Sequence, residues 1–302
     1  MSPQGDDVEI EGRRLRLSNL DKVLYPAVGW TKAQVIDFYA RIGPAMLPHL
    51  EDRPVTMVRW PDGVDGKSFF EKRCPPHAPK WVETTDVAWG LNACVVDELP
   101  TLVWMANLAA LELHTPQARA ATWGRPDSVV FDLDPGPRTT ILDCCRVGLE
   151  LRDVLDQLGL VSVVKTSGSK GLHLAVPLHT DATDDGTKEF ALAAGQLLAK
   201  RDPKRVTVVM KKEERTGRVF VDWSQNDQNK TTIAAYSLRA KERPTVSTPV
   251  SWDEVSDALD GGDPSVFTFE AGDVLDRVAE LGDLYAENLE LEQELPRLGR
   301  TA

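Results

Sequence analysis

The chain has 302 residues, 42% of them apolar and 27% charged, an ordinary composition for a globular protein with one large core or two modest ones. No long apolar stretch suggests a membrane span, and Met1 to Asp7 has neither a basic nor an apolar region, so no secretory signal is expected and the cytoplasm is the default location. Of the net charge of −12, the segment Asp253 to Ala302 carries −11, which disfavours broad wrapping of a duplex but leaves a narrow, end-directed contact open to the nearly neutral remainder.

In chain order, Val8 to Glu11 and Leu15 to Leu17 read as short strands before a Ser18-Asn19 turn. Thr31 offers an N-cap for a helix running through Tyr39, with Val35, Phe38 and Ile42 at helical spacing. A strand is predicted over Val55 to Trp60, and Leu102 to Leu113 reads as a buried helix because apolar residues surround it on nearly every side. Next come a strand ending in Asp132 and Asp134, a helix over Thr139 to Leu158, strands over Val161 to Thr166 and Leu172 to Pro177, a helix over about Thr187 to Lys200, and a strand over Arg218 to Asp222. Ser251 caps a short helix carrying Trp252 and Val255, and Asp273 to Leu291 reads as an acidic amphipathic helix packing on the body. Cys74, Cys94, Cys144 and Cys145 show no CxxC spacing, which argues against structural zinc and a disulfide framework; Cys144 and Cys145 read as core fillers of their helix.

This alternation predicts an α+β fold. A palm with a mixed or antiparallel sheet spans about 126–250 and packs against an N-terminal α/β subdomain at about 8–125, followed by an acidic helical segment at 251–292 and a disordered tail at 293–302.

The chemistry begins with Asp132 and Asp134, which close the apolar run Ser128 to Phe131 and precede Pro135-Gly136-Pro137. Side chains two apart on a strand share a face, roughly 6 to 7 Å from each other. Unless well solvated, two such carboxylates need cations between them, and paired divalent ions about 3.5 to 4 Å apart serve phosphoryl transfer. The competing reading is a strand that simply ends in a turn. Further on, Ser167-Gly168-Ser169-Lys170-Gly171 joins two apolar strands, and its backbone N–H groups, hydroxyls and ammonium suit a polyphosphate, although it is not a P-loop. His173 reads as a phosphate contact, with a satisfied core histidine as the alternative. Asp222 completes a carboxylate triad if its strand lies beside the first; Asp227, in a polar loop, competes with it.

Phe131-Asp132-Leu133-Asp134-Pro135, Ser167 to His173, and Val221 to Asn226 with Lys230 to Arg239 together resemble the three motifs of the archaeo-eukaryotic primase superfamily. The set is most similar to the polymerase domain of bacterial ATP-dependent DNA ligase D, including stand-alone actinobacterial relatives, over about Leu15 to Val255. The resemblance implies an RRM-like palm and a template-dependent DNA/RNA primase-polymerase that adds nucleotides to a primer 3′ end in gap filling and end-joining repair. It also implies two divalent ions, Mn2+ favoured over Mg2+, with NTP or dNTP as substrate and ribonucleotides often preferred. By position, Asp132, Asp134 and Asp222 match the metal-binding triad, and His114, Ser167, Lys170, His173, Gln225 and Arg239 match residues around the incoming nucleotide.

The resemblance further assigns Lys22 and Lys32 to a pocket for a downstream 5′-phosphate, Lys32 standing in a first helical turn where N–H groups and the helix dipole favour an anion. Phe69 and Phe70 match a template-stacking pair, since neighbours on an extended segment point to opposite sides and one can face a template base; the alternative is that one or both are core. Arg53, Arg59 and the run Lys211, Lys212, Arg215, Arg218 are further candidate phosphate contacts, the run reading equally as a solvated loop, with Arg53 and Arg215 assigned to the template. The implied partners are DNA with gaps, overhangs or recessed ends, nucleoside triphosphates and, because the KxDG motif of nick sealing is absent, a separate ligase and Ku in trans, with the protein associated with the nucleoid and not with membrane. Two other classes compete: a noncatalytic DNA end-binding module, and a small-molecule metal-dependent phosphoryl-transfer enzyme.

Overall fold

A computed structural model describes residues 5–87, 90–178 and 182–296. Of the disordered tail expected at 293–302, residues 297–302 lie outside the described residues, while Gln293 is fixed instead, accepting from the Val161 amide at 2.6 Å and donating to the Pro177 carbonyl at 3.0 Å. The chain divides into two units, each built from several stretches: the first from residues up to Pro116, Ile233–Ser247 and Phe269–Asp283, the second from Gln117–Thr232, Thr248–Thr268 and residues from Leu284 onward.

In the first unit, Gly5–Ile10 (β1) and Arg13–Ser18 (β2) form a hairpin, and Val23–Tyr25 (β3) pairs with Trp30–Thr31 (β4). Helix Lys32–Leu50 (α1) starts at Thr31 in a capping box with Gln34 and buries Val35, Phe38, Tyr39, Ile42 and Met46. Strands Pro54–Arg59 (β5), Phe69–Glu71 (β6), Thr84–Val87 (β7) and Leu91–Val95 (β8) follow, then helix Leu99–Asn107 (α2) and strand Ala110–Thr115 (β9). The sheet runs Thr232–Ile233, β9, β5, β8, β7, with β6 added alongside β5.

Two expectations are corrected here. The run Leu102 to Leu113 is not one helix: it turns at Ala109, which adopts a left-handed φ of 57°, and resumes as β9. Nearly every side chain of β9 is buried, so the strand lacks the alternation that would have separated it from a buried helix. Cys74 and Cys94 are joined in a disulfide. The Cys74 amide donates to the Asn92 carbonyl at 2.8 Å, which draws the chain after β6 against β8 and brings the two Cα atoms to 4.8 Å.

The acidic C-terminal region does brace the body in this unit. Its helix covers Ala271–Leu281 and stops at Gly282, which has a φ of 72° that ends the expected longer helix. Asp283 then accepts a hydrogen bond from Tyr236 Oη at 2.5 Å and lies 2.8 Å from His49 Nε2 on α1. Tyr236 is buried at a φ of 65°, a backbone conformation rare for a bulky residue, and this contact helps hold it there.

The second unit is a six-stranded sheet with helices on one face. Ser128–Pro135 (β10) leads to helix Ile141–Gln157 (α3), Val163–Thr166 (β11), Leu172–Pro177 (β12), helix Asp184–Arg201 (α4), Val206–Thr207 (β13) and Val219–Asp222 (β14). The order is β13, β14, β10, β12, β11, then Pro249–Val250; only the β13–β14 pair is parallel, so the sheet is mixed as predicted. Phe131 meets Phe190 of α4 with ring centroids 6.4 Å apart, and Gly148 of α3 packs near Leu133 and Leu174. Val129, Phe131 and Leu133 therefore face the helices, and by strand alternation Asp132 and Asp134 face the other way. Ser251 caps Trp252–Gly261 with a capping box to Glu254. No described helix is long and apolar enough to cross a membrane.

The disulfide closes a loop of 20 residues in sequence separation, which corresponds to about 3 kcal/mol of stabilisation in the chain-entropy account. Reduction with a thiol, or the Cys74→Ser variant, is expected to lower the midpoint of chemical denaturation, and reduction is expected to leave the variant's midpoint unchanged.

Candidate active site

The site is built by pairing register. On β10 Asp132 stands directly opposite Asp222 of β14 on one side and His173 of β12 on the other, while Asp134 is opposite Phe220. Directly opposed residues share a face, so Asp132, Asp134, Asp222 and His173 all project from the face away from the helices. His173 Nε2 lies 3.2 Å from Asp132 Oδ1. The strand that carries Asp222 does lie beside the first, which is the condition for a triad. Asp227 instead pairs with Lys188 at 2.6 Å.

Asp222 is fixed by the turn it caps. Its Oδ1 accepts from the Ser224 amide at 3.0 Å and from Ser224 Oγ at 2.6 Å, and its Oδ2 accepts from Gln225 Nε2 at 2.9 Å. Register is locked next to it, because Asn226 donates to the Val130 carbonyl at 2.7 Å and accepts from the Val130 amide at 2.8 Å. Three carboxylates on one face are a donor set for hard divalent cations such as Mg2+ or Mn2+. Among the described residues, however, no three His, Cys, Asp or Glu side chains are gathered into a ready metal site. In this state Asp132 and Asp222 are engaged by His173, Ser224 and Gln225.

The glycine-flanked loop differs from its expected form. Ser167 Oγ accepts from the Gly171 amide at 3.1 Å and the Ser169 amide at 3.3 Å, so these two N–H groups close the loop on itself. Lys170 remains exposed beside it. Gly171 is required by proximity, since a Cβ there would lie 2.2 Å from the Leu133 carbonyl oxygen of β10.

Other predicted residues lie in the first unit. Glu112, which the motif reading passed over, binds both His114 and Arg239: His114 Nε2 is 3.0 Å from its Oε2, and Arg239 Nε donates to Oε1 at 3.1 Å. Burial opposes ionisation of Glu112, but the hydrogen bond with His114, the Arg239 charge and the Ala240 amide outweigh it and hold the pKa at about 2. Phe69 and Phe70 are both exposed, at 43% and 66%, and the Phe70 ring is 6.4 Å from that of His114. The Arg59 guanidinium lies 5.1 Å from the Phe69 ring and 2.5 Å from Glu71.

Lys22 pairs with Asp62 at 2.8 Å, and buried Lys32 donates to the Ser18 carbonyl at 2.6 Å. Burial, with the nearby Lys22 and Arg59 charges, lowers the Lys32 pKa to about 8. The helix N-terminus is not an open anion site as expected: the amides of Lys32, Ala33 and Gln34 donate to the Lys22 carbonyl, the Leu20 carbonyl and Thr31 Oγ1. Any anion there depends on the ammonium groups. A hollow of about 760 Å³ adjoins Lys22, lined by Gly5, Asp6, Leu17, Asn19, Leu20 and Asp21.

The two arginines assigned to the template stand in different settings. Arg53 is buried and donates to the Pro116 carbonyl at 3.3 Å, which removes it as an exposed template contact. Arg215, in the second unit, donates to the Met210 carbonyl at 2.7 Å and stacks 3.6 Å from the centroid of Phe220, the residue opposite Asp134.

Comparison with known proteins identifies the family. The family described as LigD, primase-polymerase domain, matches residues 31–285. This chain belongs to that family. It is 44% identical over 278 residues to the multifunctional non-homologous end joining protein LigD of Mycolicibacterium smegmatis, covering 90% of this chain and 36% of the relative. The bifunctional LigD of Bacillus subtilis is 32% identical over 270 residues, covering 89% of this chain and 43% of the relative. The chain thus spans well under half the length of these relatives. In structure it matches the polymerase domain of Mycobacterium tuberculosis ligase D, solved in complex with DNA, with a TM-score of 0.86 and 40% identity, covering 93% of this chain and 99% of that one. The resemblance read from the three motifs holds, as does the α+β fold, and LigD primase-polymerase domains are nucleotidyltransferases.

Within this LigD primase-polymerase fold, the Gly171 contact gives a direct test of packing. Gly171→Ala is expected to push the loop off β10 and to lower the unfolding free energy by about 1 to 3 kcal/mol, measured by denaturant titration.

Proposed function

We propose that this chain adds nucleotides to a primer 3′ end under the direction of a template, by two-metal phosphoryl transfer, in gap filling and DNA end joining. The observation that carries the reading is the β10 register, which sets Asp132 against Asp222 on the face that also bears Asp134 and His173. A noncatalytic end-binding module has no use for such a face. A small-molecule phosphoryl-transfer enzyme has none for an exposed aromatic pair beside a lysine pocket.

In this reading Asp132, Asp134 and Asp222 hold divalent cations, Mn2+ or Mg2+, which when bound supply charge neutralisation for a triphosphate and a lowered pKa for the primer hydroxyl. Ser224 and Gln225 keep the Asp222 carboxylate ordered on that face. His173 and Lys170 donate to phosphate oxygens, and Ser167 shapes the loop that presents Lys170. In the first unit, ionised Glu112 keeps His114 and Arg239 in place as nucleotide donors. Phe69 and Phe70 stack on template bases, Arg215 contacts the strand backbone, and Lys22 and Lys32 take a downstream 5′-phosphate. Sealing of the product falls to a ligase activity, working with a Ku-type end-binding protein.

Extension of a primer across a gap, with Mn2+ or Mg2+ and with ribo- or deoxyribonucleotides, tests the reading. Asp132→Ala is expected to reduce extension about a thousandfold or more, equivalent to about 4 kcal/mol of barrier, while DNA affinity stays near that of the parent. Near-normal extension by that variant would overturn the metal assignment, and DNA binding by the parent without extension would favour the end-binding module.

The lysine pocket has its own pH signature. A downstream 5′-phosphate is expected to tighten binding about tenfold, and Lys22→Ala or Lys32→Ala to remove the gain. Near pH 7 the free protein already holds the Lys32 proton, so the gain is flat there. Above about pH 8 binding must take up a proton the free protein has lost, so the gain declines as pH rises through Lys32's own pKa. Equal affinity for 5′-phosphate and 5′-hydroxyl DNA at pH 7 would reject the pocket.

A further inference from the structure

Lys165 of β11 is only 4% exposed, in a sheet position where an aliphatic side chain would be the simpler occupant. It stands directly opposite His173, which stands opposite Asp132, which stands opposite Asp222. Four adjacent strands thus carry one transverse row of polar side chains on the face proposed to bind cations and phosphate. Lys165 Nζ is 3.4 Å from His173 Nδ1, and His173 Nε2 is 3.2 Å from Asp132 Oδ1. The two ring nitrogens therefore have partners of opposite character. An ammonium donates and cannot accept, so the nitrogen facing it serves as acceptor and carries no proton. The ring proton then sits on Nε2, toward the carboxylate.

We propose that Lys165 is a positioning residue: by donating to Nδ1 it keeps the imidazole proton of His173 on Nε2, so that His173 meets Asp132, and a phosphate bound beside it, as a hydrogen-bond donor. The hydrogen bond at one ring nitrogen selects the role of the other. Without the ammonium Asp132 still favours the Nε2 proton, but the second tautomer, whose Nε2 lone pair faces carboxylate and phosphate oxygens, gains population. The proposal rests on the nucleotidyl-transfer reading of this face for its consequence in turnover, but the tautomer itself does not depend on that reading.

The test uses the full chain with 15N-labelled histidine and long-range proton–nitrogen correlation spectra. The sequence has five histidines, so His173 is assigned by difference against His173→Gln. The parent is expected to show an unprotonated Nδ1 and a protonated Nε2 at His173, Lys165→Met a mixture of tautomers, and Lys165→Arg the parent pattern. In primer extension, Lys165→Met is expected to lower kcat/KM for the incoming nucleotide about 10- to 100-fold, and Lys165→Arg to recover most of it. A parent spectrum with the proton on Nδ1 overturns the proposal even if Lys165→Met fails to fold, and so does an unaltered His173 spectrum in that variant. A parent that extends no primer sinks the polymerase reading, while the spectra still decide the role of Lys165.

Discussion

Strand register around β10 is the constraint on which the rest of the second unit depends. A strand alternates its side chains with period two, so a slip of one residue against either neighbour would turn Asp132 and Asp134 into the helix-covered face and bring Phe131 and Leu133 out. Several contacts forbid the slip. Asn226 holds both the amide and the carbonyl of Val130, the Gly136 amide donates to the Arg218 carbonyl at 2.9 Å, and Gly171 lies so close to Leu133 that no side chain fits between them. The apolar face adds a non-directional preference of the same sign, since Phe131 and Leu133 are fully buried against α3 and α4.

That register collects like charges, and the surroundings compensate. Asp132 is met by His173, and Asp222 by two hydrogen bonds from Ser224 and one from Gln225. Charge-assisted contacts of this kind keep carboxylates ordered without cancelling their demand for cations. The same device recurs in the first unit, where one carboxylate, Glu112, orders two candidate nucleotide donors at once. In both places a polar neighbour sets the direction of a group that the proposed function uses.

The acidic C-terminal region, which dominates the net charge, has a structural part to play. Asp283 joins His49 on α1 to Tyr236, and Arg243 pairs with Glu270, so this stretch is fastened to the first unit through polar contacts as well as packing. Its acidity favours the local DNA contact proposed at Lys22, Lys32, Phe69 and Phe70 over a long electrostatic footprint.

The three motifs, their apolar strands, the caps at Thr31 and Ser251 and the family itself were all legible in the linear chain, because they depend on local pattern: period-two strands, capping side chains and residues fixed at short spacing. Long-range partners were not. Lys165 reads as one residue in an apolar strand until β12 is set beside it, and Glu112 reads as part of a helix until the left-handed turn at Ala109 makes its segment a strand. Cys74 and Cys94 look unrelated until β8 brings Asn92 to the Cys74 amide, and Arg53 looks like a phosphate ligand until the fold buries it. Each of these depends on which strand lies beside which and in what register, a choice made by the pooled burial and hydrogen bonding of residues distant in the chain, which no local window contains.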